Sequence, residues 1–189
     1  MQKIPTLYLR DPENPARVTR SVDPDCQWVL DGEGLPTEKY DGSACLVRSD
    51  VLYRRHRAKQ GKAKPPGWLH WNFLEPEESG HGWAPVGDST SDQWHREAWA
   101  GCIPLAGGTY ELVGPNLQRN PYDLEQHQLW RHGGSPLYGA ETDFDLLPFW
   151  FEDMMPMEGL VWHHPDGRMA KIKRRDFGLP WPVRIKAAP

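Results

Sequence analysis

The stretch EKYDGSACLV, residues 38–47, sets Lys39 two residues before an Asp-Gly pair and then runs into a short apolar segment. Asp-Gly is a strong turn signal, and the ACLV that follows has the length and composition of a strand. The decapeptide therefore predicts a chain that turns and enters a sheet. A surface lysine beside a turn accounts for Lys39 on this evidence alone, because short motifs match often by chance. Whether the cation has a further task depends on the rest of the chain.

Working outward, VLY, TYELV, EGLVWHH and RMAKIKR also have the length and alternation of strands. Nineteen prolines and eighteen glycines break the chain into short pieces, and long helical periodicity is absent. Two helices are predicted: residues 91–99, opened by a Ser/Asp cap, and residues 145–155, where Leu146, Phe149 and Trp150 recur at helical spacing. The expected class is α+β, with antiparallel sheets flanked by helices. At 189 residues the chain suits one domain, 1–189, with a Trp- and Pro-rich insertion at about 60–104. Trp68, Trp71, Trp83, Trp94 and Trp99 lie in that insertion, where tryptophans build a satellite core more often than they stack on bases.

A net charge of −4 argues against a protein that coats nucleic acid by bulk electrostatics, but leaves room for a local basic groove. Cys26, Cys45 and Cys102 are odd in number, far apart and without a C-x-x-C spacing, so they read as reduced thiols of a cytoplasmic protein. The sequence has neither a secretory leader pattern nor an apolar run long enough to span a bilayer, so a soluble protein without a membrane partner is expected.

Charge embedded in strands is the next signal. In MAKIKRRDFG, Lys171 and Lys173 project from one face of a strand while Ala170 and Ile172 face the other. Such a pair either defends a solvated edge or holds an anion whose charge offsets the mutual repulsion. Glu158 opens the apolar strand EGLVWHH, and Glu111 sits between Tyr110 and Leu112. A carboxylate in a partly buried strand is costly unless paired, hydrogen-bonded or bound to a metal.

Taken in order, Lys-x-Asp-Gly, Tyr-Glu-Leu-Val-Gly, Glu-Gly-Leu-Val and Lys-Ile-Lys resemble the covalent nucleotidyltransferase superfamily of polynucleotide ligases and RNA capping enzymes. The segments TEKYDGSACLV, ELVGPNLQRNPY and EGLVWHHPDGRMAKIKRRDFGLPWP are more closely similar to the vertebrate-type 5′-phosphate/3′-hydroxyl RNA ligase family, including the flanking Asn116, Asn120, Pro121, Tyr122, Trp162, Trp181 and Pro182. The similarity runs from about Pro36 to Pro182 and is weakest in the middle insertion. It implies a nucleotidyltransferase domain of the polynucleotide ligase type. The family's longer C-terminal extension has no counterpart here, so a domain without a C-terminal accessory domain is expected.

What the resemblance implies is a three-step ligation. Lys39 attacks the α-phosphorus of ATP and becomes a lysyl-adenylate; AMP then passes to an RNA 5′-phosphate; a 3′-hydroxyl finally displaces it. An ammonium group is not nucleophilic, and burial together with neighbouring positive charge favours the amine. Lys171 and Lys173 supply such charge and bind phosphate oxygens. Asp41 and Glu158 match the carboxylates that hold magnesium, with manganese as an alternative. Glu111 matches the glutamate that accepts from the ribose hydroxyls, and Gly42 lets the backbone approach the nucleotide. Thr37 and Glu38 occupy the position that reads the adenine edge. His132 or Trp130 stacks on the base, with His132 preferred.

The basic run RRHRAKQGKAK contains no acidic residue, and it covers the position where ligases place an arginine on phosphate. Arg54 is the first choice there, with Arg55 and Arg57 as alternatives. His163 and His164, adjacent on a strand, point to opposite faces and do not suggest zinc. The expected protein is a monomer acting on RNA with 5′-phosphate and 3′-hydroxyl ends. The alternatives are a GTP-using capping-type enzyme and a non-catalytic RNA-binding module with a relict nucleotide pocket.

Overall fold

The computed structural model describes residues 4–59, 62–71, 80–102, 105–154 and 156–183. In chain order the strands are β1 (Tyr8–Arg10), β2 (Val18–Val22), β3 (Leu35–Lys39), β4 (Ser43–Arg48), β5 (Val51–Arg57) and β6 (Leu69–His70), then β7 (His81–Pro85), β8 (Gly108–Val113), β9 (Gln128–Arg131), β10 (Gly159–His163) and β11 (Met169–Lys173). The α-helices are α1 (Gln27–Leu30), α2 (Gln93–Ala100) and α3 (Leu147–Asp153). Antiparallel sheets with few helices make this a mixed α/β protein, as the sequence predicts. The chain forms two units: Asp41–His132 is the first, and Ile4–Tyr40 with the chain from Gly133 onward is the second.

The first unit is built on a six-stranded sheet in the order β6-β7-β5-β4-β8-β9. Ser49 and Asp50 join β4 to β5 in a two-residue turn with φ of 50° and 59°, the left-handed pair whose twist matches an antiparallel hairpin. Alternation then sorts the side chains. Cys45, Val47, Leu52, Tyr110, Leu112 and Leu129 bury one face together with Ala98 of α2, and Trp94 and Trp99 pack against them. Ala44, Leu46 and Trp83 bury the other, with Tyr53, Leu69 and Trp71 beside them.

Trp94 and Trp99 thus pack on one face of the main sheet and Trp71 and Trp83 on the other, where a satellite core was expected. Strands β6 and β7 come from within the stretch read as an insertion, and β7 pairs directly with β5. Parts of that stretch, residues 60–61, 72–79 and 103–104, lie outside the described residues.

In the second unit β3, β10 and β11 form an antiparallel sheet in the order β11-β10-β3, and β1 pairs with β2. Leu160, Trp162, Ala170 and Ile172 face a core that also holds Leu7, Tyr8, Trp28, Leu147, Phe151 and Met157. Burial of this apolar area is the main stabilising term, at about 25 cal/mol per Å².

The helices depart from expectation in detail. A 3-10 turn, Thr90–Asp92, leads into α2, and Asp92 makes no side-chain cap. Its carboxylate instead accepts from Gly87 N at 2.9 Å and pairs with Arg54. Helix α3 is shorter than predicted, with Pro148 in its first turn, where the missing N–H costs nothing, and Met155 lies outside the described residues.

Candidate active site

In the second unit, strand register determines which side chains meet. Gly159 faces Lys39 on one neighbour and Lys173 on the other, while Val161 faces Thr37 and Lys171. Lys39, Thr37, Lys171 and Lys173 therefore share the face opposite the apolar core. Gly159 is needed at the crossing, because a Cβ there would lie 2.1 Å from Ile172 O and 2.8 Å from Lys173 Cα.

Glu158, 5 % exposed, has the partners that its burial demands. Lys39 Nζ donates to its Oε2, and Lys173 Nζ lies 2.6 Å from its Oε1. Lys39 also donates to Tyr40 O at 3.2 Å. Burial pushes the Lys171 ammonium down to about 8, helped by the positive charges of Lys173 and Lys39. With Lys171 on the same face, Lys39, Lys171 and Lys173 outnumber the carboxylates beside them, Glu158 and Asp176, and the excess of positive charge suits a polyanionic ligand.

The end of β11 is fixed by Asp176, which sequence reasoning passed over. Its Oδ2 accepts from Lys173 N at 2.8 Å and its Oδ1 pairs with Arg10 at 2.6 Å. The sequence signal was available, since Asp in the first turn after Lys-Arg-Arg is a helix-start pattern.

Glu38 lies on the other face of β3, with Leu160 as its register partner. Burial pushes its carboxyl up to about 7. Between about pH 4.5 and 7 the unfolded chain ionises at this position before the folded protein does, so stability falls as pH rises through that window. Glu38→Gln should therefore gain about 1–2 kcal/mol at pH 8, discounted for partial solvation, and almost nothing below pH 4.5. Chemical denaturation at the two pH values checks this. Thr37 is enclosed: its hydroxyl donates to Val161 O at 3.2 Å and lies 3.0 Å from His163 Nε2. The segment after Gly133 lines the outer side of β3, where Glu38 N donates to Ser135 O at 3.3 Å and Leu137 N to Pro36 O at 2.9 Å.

His163 and His164 go to different partners. The ring nitrogens of His164 are each 2.8 Å from a carboxylate, Glu33 on one side and Asp166 on the other.

In the first unit Glu111 uses both oxygens. Oε1 accepts from Gly42 N at 3.1 Å, and Oε2 is 2.8 Å from His132 Nε2. Gly42 runs close under β8, and a Cβ on it would lie 2.1 Å from Leu112 O. Asp41 N donates to the Tyr122 hydroxyl at 2.7 Å. Trp130, the other stacking candidate, packs on Tyr122 with ring centroids 4.7 Å apart and donates to Gln128.

Arg54 is on the opposite face of the sheet from Glu111, because it pairs with Cys45 while Glu111 pairs with Ala44. Its Nε lies 2.6 Å from Asp92 Oδ1 in an ion pair that is not aligned as a hydrogen bond. Arg55 and Arg57 alternate to the Glu111 face and are exposed.

Among the described residues no group of three or more His, Cys, Asp or Glu side chains converges as a metal cage. Magnesium does not require one, since it keeps several waters and is commonly held by one or two carboxylates with substrate phosphates. Glu158 is a buried carboxylate whose two oxygens are paired with Lys39 and Lys173. No helix among the described residues is long and apolar enough to cross a membrane.

The second unit thus presents a lysine-rich face of an antiparallel sheet beside the buried Glu158. The comparisons narrow this. The family model described as RNA ligase 1 matches residues 99–187, a span containing Glu111, His132, Glu158, Lys171 and Lys173. RNA ligase 1 of Danio rerio is 33% identical, with 96% of this chain and 82% of that protein covered. RNA ligase 1 of Pongo abelii is 27% identical over 79% of this chain and 69% of its own length, and that of Rattus norvegicus is 28% identical over 89% and 69%. The chain belongs to the RNA ligase 1 family.

Proposed function

We propose that this protein is an ATP-dependent RNA ligase with a nucleotidyltransferase fold of the polynucleotide ligase type, joining 5′-phosphate and 3′-hydroxyl RNA ends. The observation that carries the reading is the placement of Lys39 beside Glu158 and Lys173, on one sheet face with Lys171. In the first step the Lys39 amine forms a bond to the α-phosphorus of ATP, the bond to pyrophosphate breaks, and the lysine loses its proton. Lys171 and Lys173 hold phosphate oxygens and offset the charge that develops on them. In the second step AMP passes from Lys39 to the RNA 5′-phosphate. In the third the 3′-hydroxyl attacks that activated phosphate and AMP leaves.

Glu158 would hold magnesium, or manganese in its place, Asp41 is a second candidate by its resemblance, and the cation would supply charge to phosphate oxygens. Glu111 accepts from the ribose hydroxyls, supported by its contacts with Gly42 N and His132. The protein acts as a cytoplasmic monomer. The test is covalent labelling with ATP and separately with GTP, followed by ligation of a broken stem-loop RNA. Labelling by GTP in preference to ATP would overturn the reading.

Strand register supports dividing the arginines between two tasks. Arg54 supports the fold through Asp92, whereas Arg55 and Arg57 meet RNA phosphate. Arg54→Ala should cost about 2–3 kcal/mol of stability by leaving Asp92 buried without its partner. Arg55→Ala with Arg57→Ala should leave the melting temperature unchanged and make ligation lose a larger fraction of its rate with added salt. Thermal melts and a salt series on the variants decide between this division and a phosphate contact by Arg54.

A further inference from the structure

Within the first unit, the backbone of Asp41 and Gly42 is held by side chains at three points. Asp41 N donates to the Tyr122 hydroxyl at 2.7 Å, Gly42 N to Glu111 Oε1 at 3.1 Å, and Gln118 Nε2 donates to Gly42 O at 3.4 Å. Two of these side chains come from one loop, residues 114–124, which is bent in an unusual way. Gln118, Arg119, Asn120 and Asp123 have φ of 47°, 65°, 50° and 51°, in the left-handed region where a Cβ meets the backbone. Such conformations persist where the surroundings over-determine them, and they gather at functional sites.

Asn120 provides part of that determination. Its Nδ2 donates to Leu124 O at 2.9 Å and its Oδ1 accepts from Leu124 N at 3.0 Å, closing a ring of chain around residues 121–123. Tyr122 is at the centre of this ring, and its ring packs at a tilt against Trp130, with centroids 4.7 Å apart. The loop therefore holds one hydroxyl at a defined place, and that hydroxyl meets the amide of the second residue after Lys39.

We propose that Tyr122 is a positioning residue for the reaction: its hydroxyl fixes the Asp41 amide and so sets the direction of the Asp41 carboxylate. This rests on the ligase reading above, in which Asp41 faces a hard cation carried with a nucleoside triphosphate. Tyr122 acts through the backbone of Asp41 and does not bind the nucleotide. Its effect belongs in the rate of the bound complex, with little change in ATP affinity.

The test is Tyr122→Phe, which keeps the ring against Trp130 and removes the hydroxyl that accepts from Asp41 N. In amide hydrogen exchange of the isotope-labelled full chain, the Asp41 amide should exchange at least about fivefold faster than in the wild type. Lysyl-adenylate formation at saturating ATP should fall about tenfold, with the half-saturating ATP concentration changed less than about twofold. Unchanged exchange at Asp41, or a wild-type rate of adduct formation, would overturn the proposal. So would a loss confined to ATP affinity. If the wild-type protein itself forms no adduct, the ligase reading fails, and the exchange comparison still decides whether Tyr122 holds Asp41.

Discussion

Lys39→Ala should abolish the AMP–protein adduct, lowering its rate of formation by at least about a thousandfold, because in the proposed reaction its amine is the group that forms the bond to phosphorus. The variant should nevertheless fold. Glu158 keeps its contact with Lys173 at 2.6 Å when Lys39 is removed, so no buried carboxylate is left without a cation. Ligation of RNA supplied with an adenylylated 5′ end should survive in part, since the third step does not use the lysine as a nucleophile. An adduct formed at the wild-type rate would show that another residue is the nucleophile. Loss of folding would show that Lys39 is mainly a structural partner of Glu158.

Glu158→Ala should be the more damaging change overall. The carboxylate lies between Lys39 and Lys173, and Lys171 shares their face of the sheet, so its removal leaves three cations in mutual repulsion and Lys39 and Lys173 without the carboxylate they both contact. Stability should drop by about 2–4 kcal/mol, the scale for breaking a buried ion pair from one side. Adduct formation should fall by about a hundredfold or more even under conditions where the variant is fully folded, because the lysine is no longer held in place. Raising the salt concentration should recover part of the stability through screening and none of the positioning. Urea melts and adduct kinetics at two ionic strengths separate the two effects.

Much of the second unit was legible because its signals are local and periodic. Alternation in MAKIKR places Ala170 and Ile172 in the core and both lysines on the other face, and this is how β11 sits. The cost of burying Glu158 in an apolar strand called for a cation, and the structure supplies Lys39 and Lys173. Strand β3 gave no such signal. LPTEK contains a proline and one alternating apolar position, and its pairing is supplied by β10 and the segment after Gly133, which sequence spacing does not reveal.

The first unit shows where local reading stops. HGWAP has glycine and proline at strand positions and looks like loop, yet it pairs along β5 because Trp83 buries itself against Ala44 and Leu46. Choosing among Arg54, Arg55 and Arg57 needs register, and one residue of register reverses the face. The contact between Tyr122 and Asp41 was invisible for a related reason. It depends on a loop whose left-handed residues include Gln118 and Arg119, for which no turn propensity gives warning.

Covalent adenylylation of Lys39 is read from the intact mass of the protein after incubation with ATP and magnesium, followed by peptide mapping. The wild-type chain should gain the mass of one adenylate, located on the peptide containing Lys39 and lost when RNA with a 5′-phosphate is added. An unmodified mass under conditions where the protein is folded, or an adenylate mapped to any other residue, would contradict it.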